Sequence, residues 1–275
     1  MVSSKWRYYN HALLLATEPH QKVEIEEKEL KQMLKKWGGV ILARWTSDFD
    51  CKEETEWWYV IKDAPFCISD LKAKRRYEIT KGNNNFYVKS IDPKEYREEI
   101  YNVATEAYSA YPKSYRPTID HDKFVSSIDN WDIYYTFAAF SKEDNTVCGY
   151  ALLRDFEGHV EFNVLKTKPS CEKKSINAAI VNFILEYFEF ELSHGKYICD
   201  GERSVLHETA FQNYLEKYFG FRKAYCKLHI KYRFGIGFIV RCLYPVRGLI
   251  AKGNNKLMKQ ISSVLRMEEI ARSFR

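Results

Sequence analysis

Three stretches of the sequence carry side chains fit for chemistry. Asp200, Glu202 and Arg203 fall in the polar break Asp200-Gly201-Glu202-Arg203-Ser204, directly after the apolar run 197–199. If that run is a strand, these groups stand at its carboxyl end, where α/β sheets place ligands. Lys173, Lys174 and Ser175 open the apolar run 176–192. At a helix start, two ammonium groups and a hydroxyl suit an anion, because the helix adds free N–H groups and a favourable dipole. Arg75 and Arg76 sit among Lys72, Lys74 and Lys81 in 67–82. These cations could meet a phosphate of a nucleotide, a lipid-linked sugar or a tRNA, or could simply solvate a helix face. No Cys–His or Ser–His–Asp spacing stands out, and His207 is a lone histidine. The seven Cys form no C-x-x-C and have no His at ligand spacing. They are expected to be free thiols in a reducing compartment, with no metal site.

Those residues need elements to hold them. After the strand-length run 197–199, Phe211, Leu215 and Tyr218 recur at helical spacing and Gly220 stops the helix. The stretch 224–233 then alternates, with Tyr225, Lys227, His229 and Lys231 on one side and Cys226, Leu228, Ile230 and Tyr232 on the other, as a strand does. Upstream, 86–91 reads as a strand. Asp92-Pro93 opens a helix that runs to about Tyr111, Tyr115 sits in the loop after it, and Asp120 caps a second helix over 121–131. Strands are predicted at 133–140, 147–156 and 160–166, and a long helix at 176–192. Residues 67–82 read as a helix capped by Ser69 or Asp70 and ended by Gly82. The first 66 residues offer a helix at 30–37 and strands at 40–45 and 56–62. They are too few for a stable domain unless they dock on something larger. Trp57 and Trp58 could wall a substrate, although paired aromatics more often serve packing.

The order over 86–233 is strand, helix, helix, three antiparallel strands, helix, strand, helix, strand. This order resembles the GNAT (N-acetyltransferase) superfamily. The stretch Tyr214-Leu215-Glu216-Lys217-Tyr218-Phe219-Gly220-Phe221 resembles that family's "L-Y-E-K-x-G-F" ending with one extra residue, and resembles the "F-K-x-x-F-G" ending of Fem-type aminoacyltransferases at least as well. Lys74, Arg75, Ile79, Lys81 and Gly82 are placed similarly to the basic helix that Fem-type proteins carry between their halves. The resemblance implies an α/β fold with a GNAT-like, mixed, mainly antiparallel sheet flanked by helices. It implies attack of an amine on a carbonyl, with Glu161 as a base on the fourth strand and Tyr214 or Tyr218 as the general acid of the last helix. Lys173, Lys174 and Ser175 fall where the family holds a diphosphate, with Arg75 and Arg76 as further phosphate contacts. One departure is plain. The family's Arg/Gln-x-x-Gly-x-Gly/Ala reads here Glu172-Lys173-Lys174-Ser175-Ile176-Asn177-Ala178, without the leading cation or either glycine. That argues against acetyl-CoA and leaves another acyl-CoA or an aminoacyl-tRNA as donor.

Composition bounds the rest. At 275 residues, with 45% apolar and 29% charged residues, a packed core is expected. No signal peptide and no run of membrane-span length is evident, so a cytoplasmic location is expected. The net charge of +6 is uneven: 227–275 holds eleven Lys+Arg against two Glu, which leaves −3 for the residues before it. The expected division is a small N-terminal β/α extension over 1–66, a GNAT-like domain over 67–233 led by the basic helix 67–82, and a basic amphipathic tail over 234–275. Within 234–251 several large apolar residues alternate with Arg241 and Arg247, a composition suited to the surface of an anionic membrane, or to packing on the domain or a second subunit. Three functions compete. One is N-acyl or aminoacyl transfer to an amino group of a sugar or peptide, lipid-linked or free, in bacterial cell-envelope or surface-polysaccharide building. The second is a degenerate, non-catalytic GNAT-like binding protein. The third is a nucleic-acid-binding module, ranked last because no helix-turn-helix, RNP-type or zinc pattern is present. The sequence leaves the oligomeric state open.

Overall fold

The computed structural model describes residues 5–113, 116–206, 209–253 and 255–274. The strands are β1 (Trp6–Tyr9), β2 (Ala12–Leu15), β3 (Leu42–Ser47), β4 (Trp57–Lys62), β5 (Phe86–Ser90), β6 (Tyr135–Ser141), β7 (Val147–Asp155), β8 (His159–Thr167), β9 (Tyr197–Glu202) and β10 (Arg222–Tyr232). The helices are α1 (Glu27–Lys36), α2 (Ala73–Asn85), α3 (Arg97–Ser109), α4 (His121–Ser127), α5 (Pro169–Glu172), α6 (Ile176–Tyr187), α7 (Glu189–Ser193), α8 (Ala210–Phe219), α9 (Ile236–Leu243), α10 (Arg247–Ile250) and α11 (Lys256–Arg272). The chain divides into two compact units. One comprises Met1–Val60, Glu202–Ala210 and Lys223–Arg275; the other comprises Ile61–Gly201 and Phe211–Arg222.

In the second unit the strand order is β9-β8-β7-β6-β5. The β5–β6, β6–β7 and β7–β8 ladders are antiparallel, and β8–β9 is parallel. Strand alternation divides the side chains between two faces. Ala138, Phe140, Tyr150 and Leu152 point to a core shared with Ile100, Val103 and Ala104 of α3. Phe137 points the other way, with its ring 5.6 Å from Phe183 of α6 and 6.2 Å from Phe188. The helix caps act as their sequence implies: the Asp92 carboxylate accepts from the Lys94 N–H at 2.9 Å, and Asp120 from the Lys123 N–H at 3.0 Å. Two helix expectations change. The helix predicted at 176–192 breaks at Phe188, which is buried between α6 and α7. The helix predicted at 67–82 begins only at Ala73, because Arg76 turns back to bond the carbonyls of Ser69 and Leu71. It also runs through Gly82 to Asn85. Gly82 is a packing residue: a Cβ there would lie 2.5 Å from the Ser175 carbonyl oxygen and 2.9 Å from the Ala179 nitrogen of α6.

In the first unit the strand order is β1-β2-β3-β10-β4. The hairpin β1–β2 answers a stretch in which the sequence reading found no element. Leu13 and Ala43 face α1, packing with Leu30 and Leu34. Ala12, Leu14, Leu42, Trp57, Cys226, Leu228 and Ile230 face the opposite way, against Met267, Ile270 and Ala271 of α11. The N-terminal segment and the end of the tail therefore build one core. Glu268 is buried with them, and its carboxylate accepts from the Tyr232 hydroxyl at 2.9 Å and from Arg272 at 2.8 Å. Trp57 is fully buried, and Trp58 lies beneath the Arg203 guanidinium at 4.4 Å. Both tryptophans serve packing.

If α11 closes this core, removing one of its buried branched side chains must cost what a core deletion costs. Ile270→Ala is expected to destabilise the protein by about 2–5 kcal/mol, read as a fall in the urea midpoint. An unchanged midpoint would show that α11 lies loosely on the sheet.

Candidate functional site

The site begins with a bulge. Between β7 and β8 the register shifts: Leu152 faces Val164 and Leu153 faces Phe162, which leaves Asn163 as the extra residue on β8. Such an insertion bends and twists its strand. On the other side, the parallel ladder with β9 covers only three pairs, from His159–Tyr197 to Glu161–Cys199. The His159 ring, stacked on Phe156 at 4.6 Å and on Tyr197 at 5.2 Å, fastens the start of that ladder. Beyond Glu161 and Cys199 both strands continue, but the ladder does not. Parallel strands that part at their carboxyl ends make a cleft whose edges offer backbone N–H and C=O groups to an extended ligand.

Glu161 and Asp200 stand at the point of parting, Glu161 being the last β8 residue in the ladder and Asp200 the first β9 residue past it. The Asp200 carboxyl is pushed up to about 7, mainly by burial. A hydrogen bond from Gln212 opposes the shift, and the negative charge of Glu161 adds to it. Gln212 is buried on α8 and also reaches the Asp200 main-chain carbonyl at 3.5 Å. Two residues further along α8, Tyr214 packs 5.0 Å from the Tyr218 ring and 5.6 Å from Phe219. Burial first, then the charge of Glu78, raises the Tyr214 phenol far above its usual range, so it stays protonated at neutral pH. Phe211, at the same end of α8, meets Phe162 of β8 at 6.0 Å, so α8 and the parting strand are in contact.

The start of α6 completes the arrangement. Ser175 takes the left-handed conformation, φ 64°, that glycine usually supplies. Its hydroxyl donates to the Glu78 carboxylate of α2 at 2.6 Å. A carboxylate of the protein's own therefore stands where the sequence reading placed an anionic ligand. Lys174 pairs with Glu143 at 3.2 Å, and Lys173 is exposed. Gly82 permits this junction, since the close approach of α2 to α6 leaves no room for a side chain.

The structure thus gathers Glu161, Asp200, Tyr214, Tyr218 and Ser175 in one unit. It does not bring Glu202 and Arg203 into that group. Both belong to the other unit, where Glu202 pairs with Arg44, while Arg203 bonds the Glu56 carbonyl at 2.9 Å and covers Trp58. Arg76 is held by its own backbone; Arg75 is half-buried on α2. Tyr115 and His207 lie outside the described residues. Two participants escaped the sequence reading. Glu78 could have been noticed as the one acid on a basic helix. Gln212 gave no signal, because a glutamine amid helical spacing is ordinary.

No family model matches the chain, and no curated protein matches it in sequence. Solved structures do. L-PGS from Bacillus licheniformis is similar with a TM-score of 0.55 at 12% identity, over 88% of this chain and 84% of that one. FemX is similar with a TM-score of 0.48 at 8% identity, over 72% of this chain and 73% of that one. A tandem GNAT protein from the clavulanic acid biosynthesis pathway is similar with a TM-score of 0.44 at 9% identity, over 74% and 67%. The L-PGS likeness carries the fold: the chain has a GNAT-like mixed α/β architecture, with mainly antiparallel strands flanked by helices.

The Asp200 shift has a signature in stability. The folded carboxyl binds its proton up to about pH 7, whereas an unfolded one releases it near its ordinary value of 3.8. Between those values the folded state holds the extra proton, so its stabilising contribution is complete at low pH and is lost as pH rises through about 7. Asp200→Asn is expected to remove that decline, which is on the order of 4 kcal/mol. Thermal melts of both proteins between pH 4 and 8 read the difference, and parallel curves would refute the shift.

Proposed function

We propose that the protein is an N-acyl or aminoacyl transferase that acts on an amino group of a sugar or peptide in bacterial cell-envelope or surface-polysaccharide biosynthesis. In this reading it works in the cytoplasm, at the inner face of the membrane, on an acceptor that is free or lipid-linked. The observation that carries the proposal is the Asp200 carboxyl, poised near neutrality beside Glu161 where β8 and β9 part. A base is most effective when its pKa lies near the working pH. Asp200 takes one proton from the neutral amine as it attacks, and Glu161 accepts a hydrogen bond that orients that amine. The nitrogen forms an amide bond to the carbonyl carbon of the donor, and the bond from that carbon to the donor's oxygen or sulfur breaks. Tyr214, protonated at neutral pH, supplies the proton to the departing atom; Tyr218 packs it in place. The edges of the cleft hold the extended part of the donor.

The α6 start bears on the donor. Glu172 stands in place of a cation, and Glu78 already occupies the Ser175 hydroxyl. Two carboxylates repel a diphosphate, which disfavours acetyl-CoA and favours an aminoacyl-tRNA. The exposed Lys72, Lys74 and Lys173, with Arg75, would then follow tRNA phosphates. The same closure favours a second reading, a GNAT-like protein that binds without catalysing.

The test is to incubate the protein with aminoacyl-tRNA or acyl-CoA and an amino-sugar or peptide acceptor, and to follow the new amide by mass spectrometry. Turnover is expected with aminoacyl-tRNA. Asp200→Asn is expected to lower it roughly 100-fold or more, and Tyr214→Phe about tenfold. Unchanged rates in both variants would overturn the assigned roles. Tight donor or acceptor binding without any product would favour the binding protein.

A further inference from the structure

Large apolar side chains usually lie inside; here a group of them lies outside, and in one place. Phe234 is fully exposed, Phe238 is 71% exposed, Leu249 70% and Leu257 65%, with Ile239 and Val246 beside them in sequence. They belong to one short stretch, from Phe234 just before α9 to the first turn of α11. Soluble proteins rarely gather such residues on the surface without a partner for them.

The patch is built rather than loose. Val240 of α9 is buried, and α9 and α10 both pack on α11. Tyr244, between the two short helices, is covered by the Arg247 guanidinium at 4.3 Å and by Arg272 at 3.8 Å. Arg247 also donates to Glu269 at 2.9 Å. The C-terminal half of α11 is core. Only α9, α10 and the start of α11 are presented outward.

Within the stretch the charge is of one sign, and the acid beside it, Glu269, is already paired with Arg247 and Arg266. Residues 234–267 contain no Asp or Glu, while Arg241, Lys252, Lys256 and Lys259 are exposed there. This chooses among occupants. A second copy docking by two-fold symmetry would set these cations against themselves. An anionic headgroup layer complements them and accepts the apolar side chains at the depth of the acyl boundary. No helix among the described residues is long and apolar enough to cross a membrane, so such a contact is one of surface.

We infer that α9, α10 and the first turn of α11 form a docking surface for an anionic lipid bilayer. The inference deepens the membrane-face location proposed above and rests on that part of the reading alone. Its measurement involves no turnover, so its failure leaves the transfer chemistry standing, and a dead enzyme can still pass it.

The test is co-sedimentation of the full chain with vesicles of phosphatidylcholine alone or with phosphatidylglycerol added, at low and high salt. Removing the tail is unsuitable, because α11 is part of the core. Binding is expected only with the anionic vesicles, and is expected to weaken with salt. Lys252→Glu with Lys256→Glu should weaken it by about fivefold per cation removed or more. Phe238→Ser with Leu249→Ser should reduce it at least tenfold while leaving the melting temperature unchanged. Absence of the protein from the anionic pellet at low salt would overturn the inference. So would binding that ignores these variants, or a concentration-dependent dimer that Phe238→Ser abolishes. A lowered melting temperature in the serine variant transfers the decision to the two lysine substitutions, which lie on exposed positions.

Discussion

The junction between α2 and α6 is the constraint on which the candidate site depends. Gly82 lets the two helices approach so closely that no side chain fits between them. That approach brings Glu78 to the Ser175 hydroxyl and holds Ser175 in a left-handed conformation without a glycine. It fixes where α6 begins and what charge stands there. Burial first, and then the charge of Glu78, also raises the Tyr214 phenol on α8. One contact between helices therefore sets the character of the anion position.

The second determinant is the way β8 leaves β9 while it stays paired with β7. The bulge at Asn163 on one side and the three-pair ladder on the other release the rest of β8 from parallel pairing. A continuous ladder would have covered Asp200 with a neighbouring strand. The parting instead leaves a carboxyl in a partly dry place, close to a second carboxyl, with a single side-chain amide from Gln212 to support its charged form. Desolvation outweighs that hydrogen bond, and the pKa rises. Aligned nearby groups of this kind are more often found in clefts that do chemistry than on surfaces that only pack.

The other unit has a different logic. Its sheet is covered on one face by α1 and on the other by α11, so the first strands and the last helix complete each other. The buried Glu268 is tolerated because Tyr232 and Arg272 both donate to it. This arrangement leaves α9 and α10 as a raised and basic apolar edge, not as a free tail.

Over 86–233 the sequence by itself determined most of the elements and their order. Phe211, Leu215 and Tyr218 at helical spacing, the alternation through β10, and Asp92 and Asp120 as caps each depend on neighbours a few residues away, and such local signals survive into the fold. It also marked Asp200 and Ser175, which follow a strand and precede a helix, and the family resemblance marked Glu161 and Tyr214. Contacts between distant residues were beyond it. Gly82 reads as a helix stop, since glycine usually is one, and only the packing of α6 against it shows otherwise. Glu202 and Arg203 read as partners of Asp200, yet β9 passes from one unit to the other at that point and delivers them to Arg44 and Trp58. Gln212 carries no local mark, and 97 residues separate Glu78 from the serine it binds. Spacing along the chain reports which side of an element a residue occupies; what stands opposite that side, and so its charge and hydration, is decided by tertiary packing.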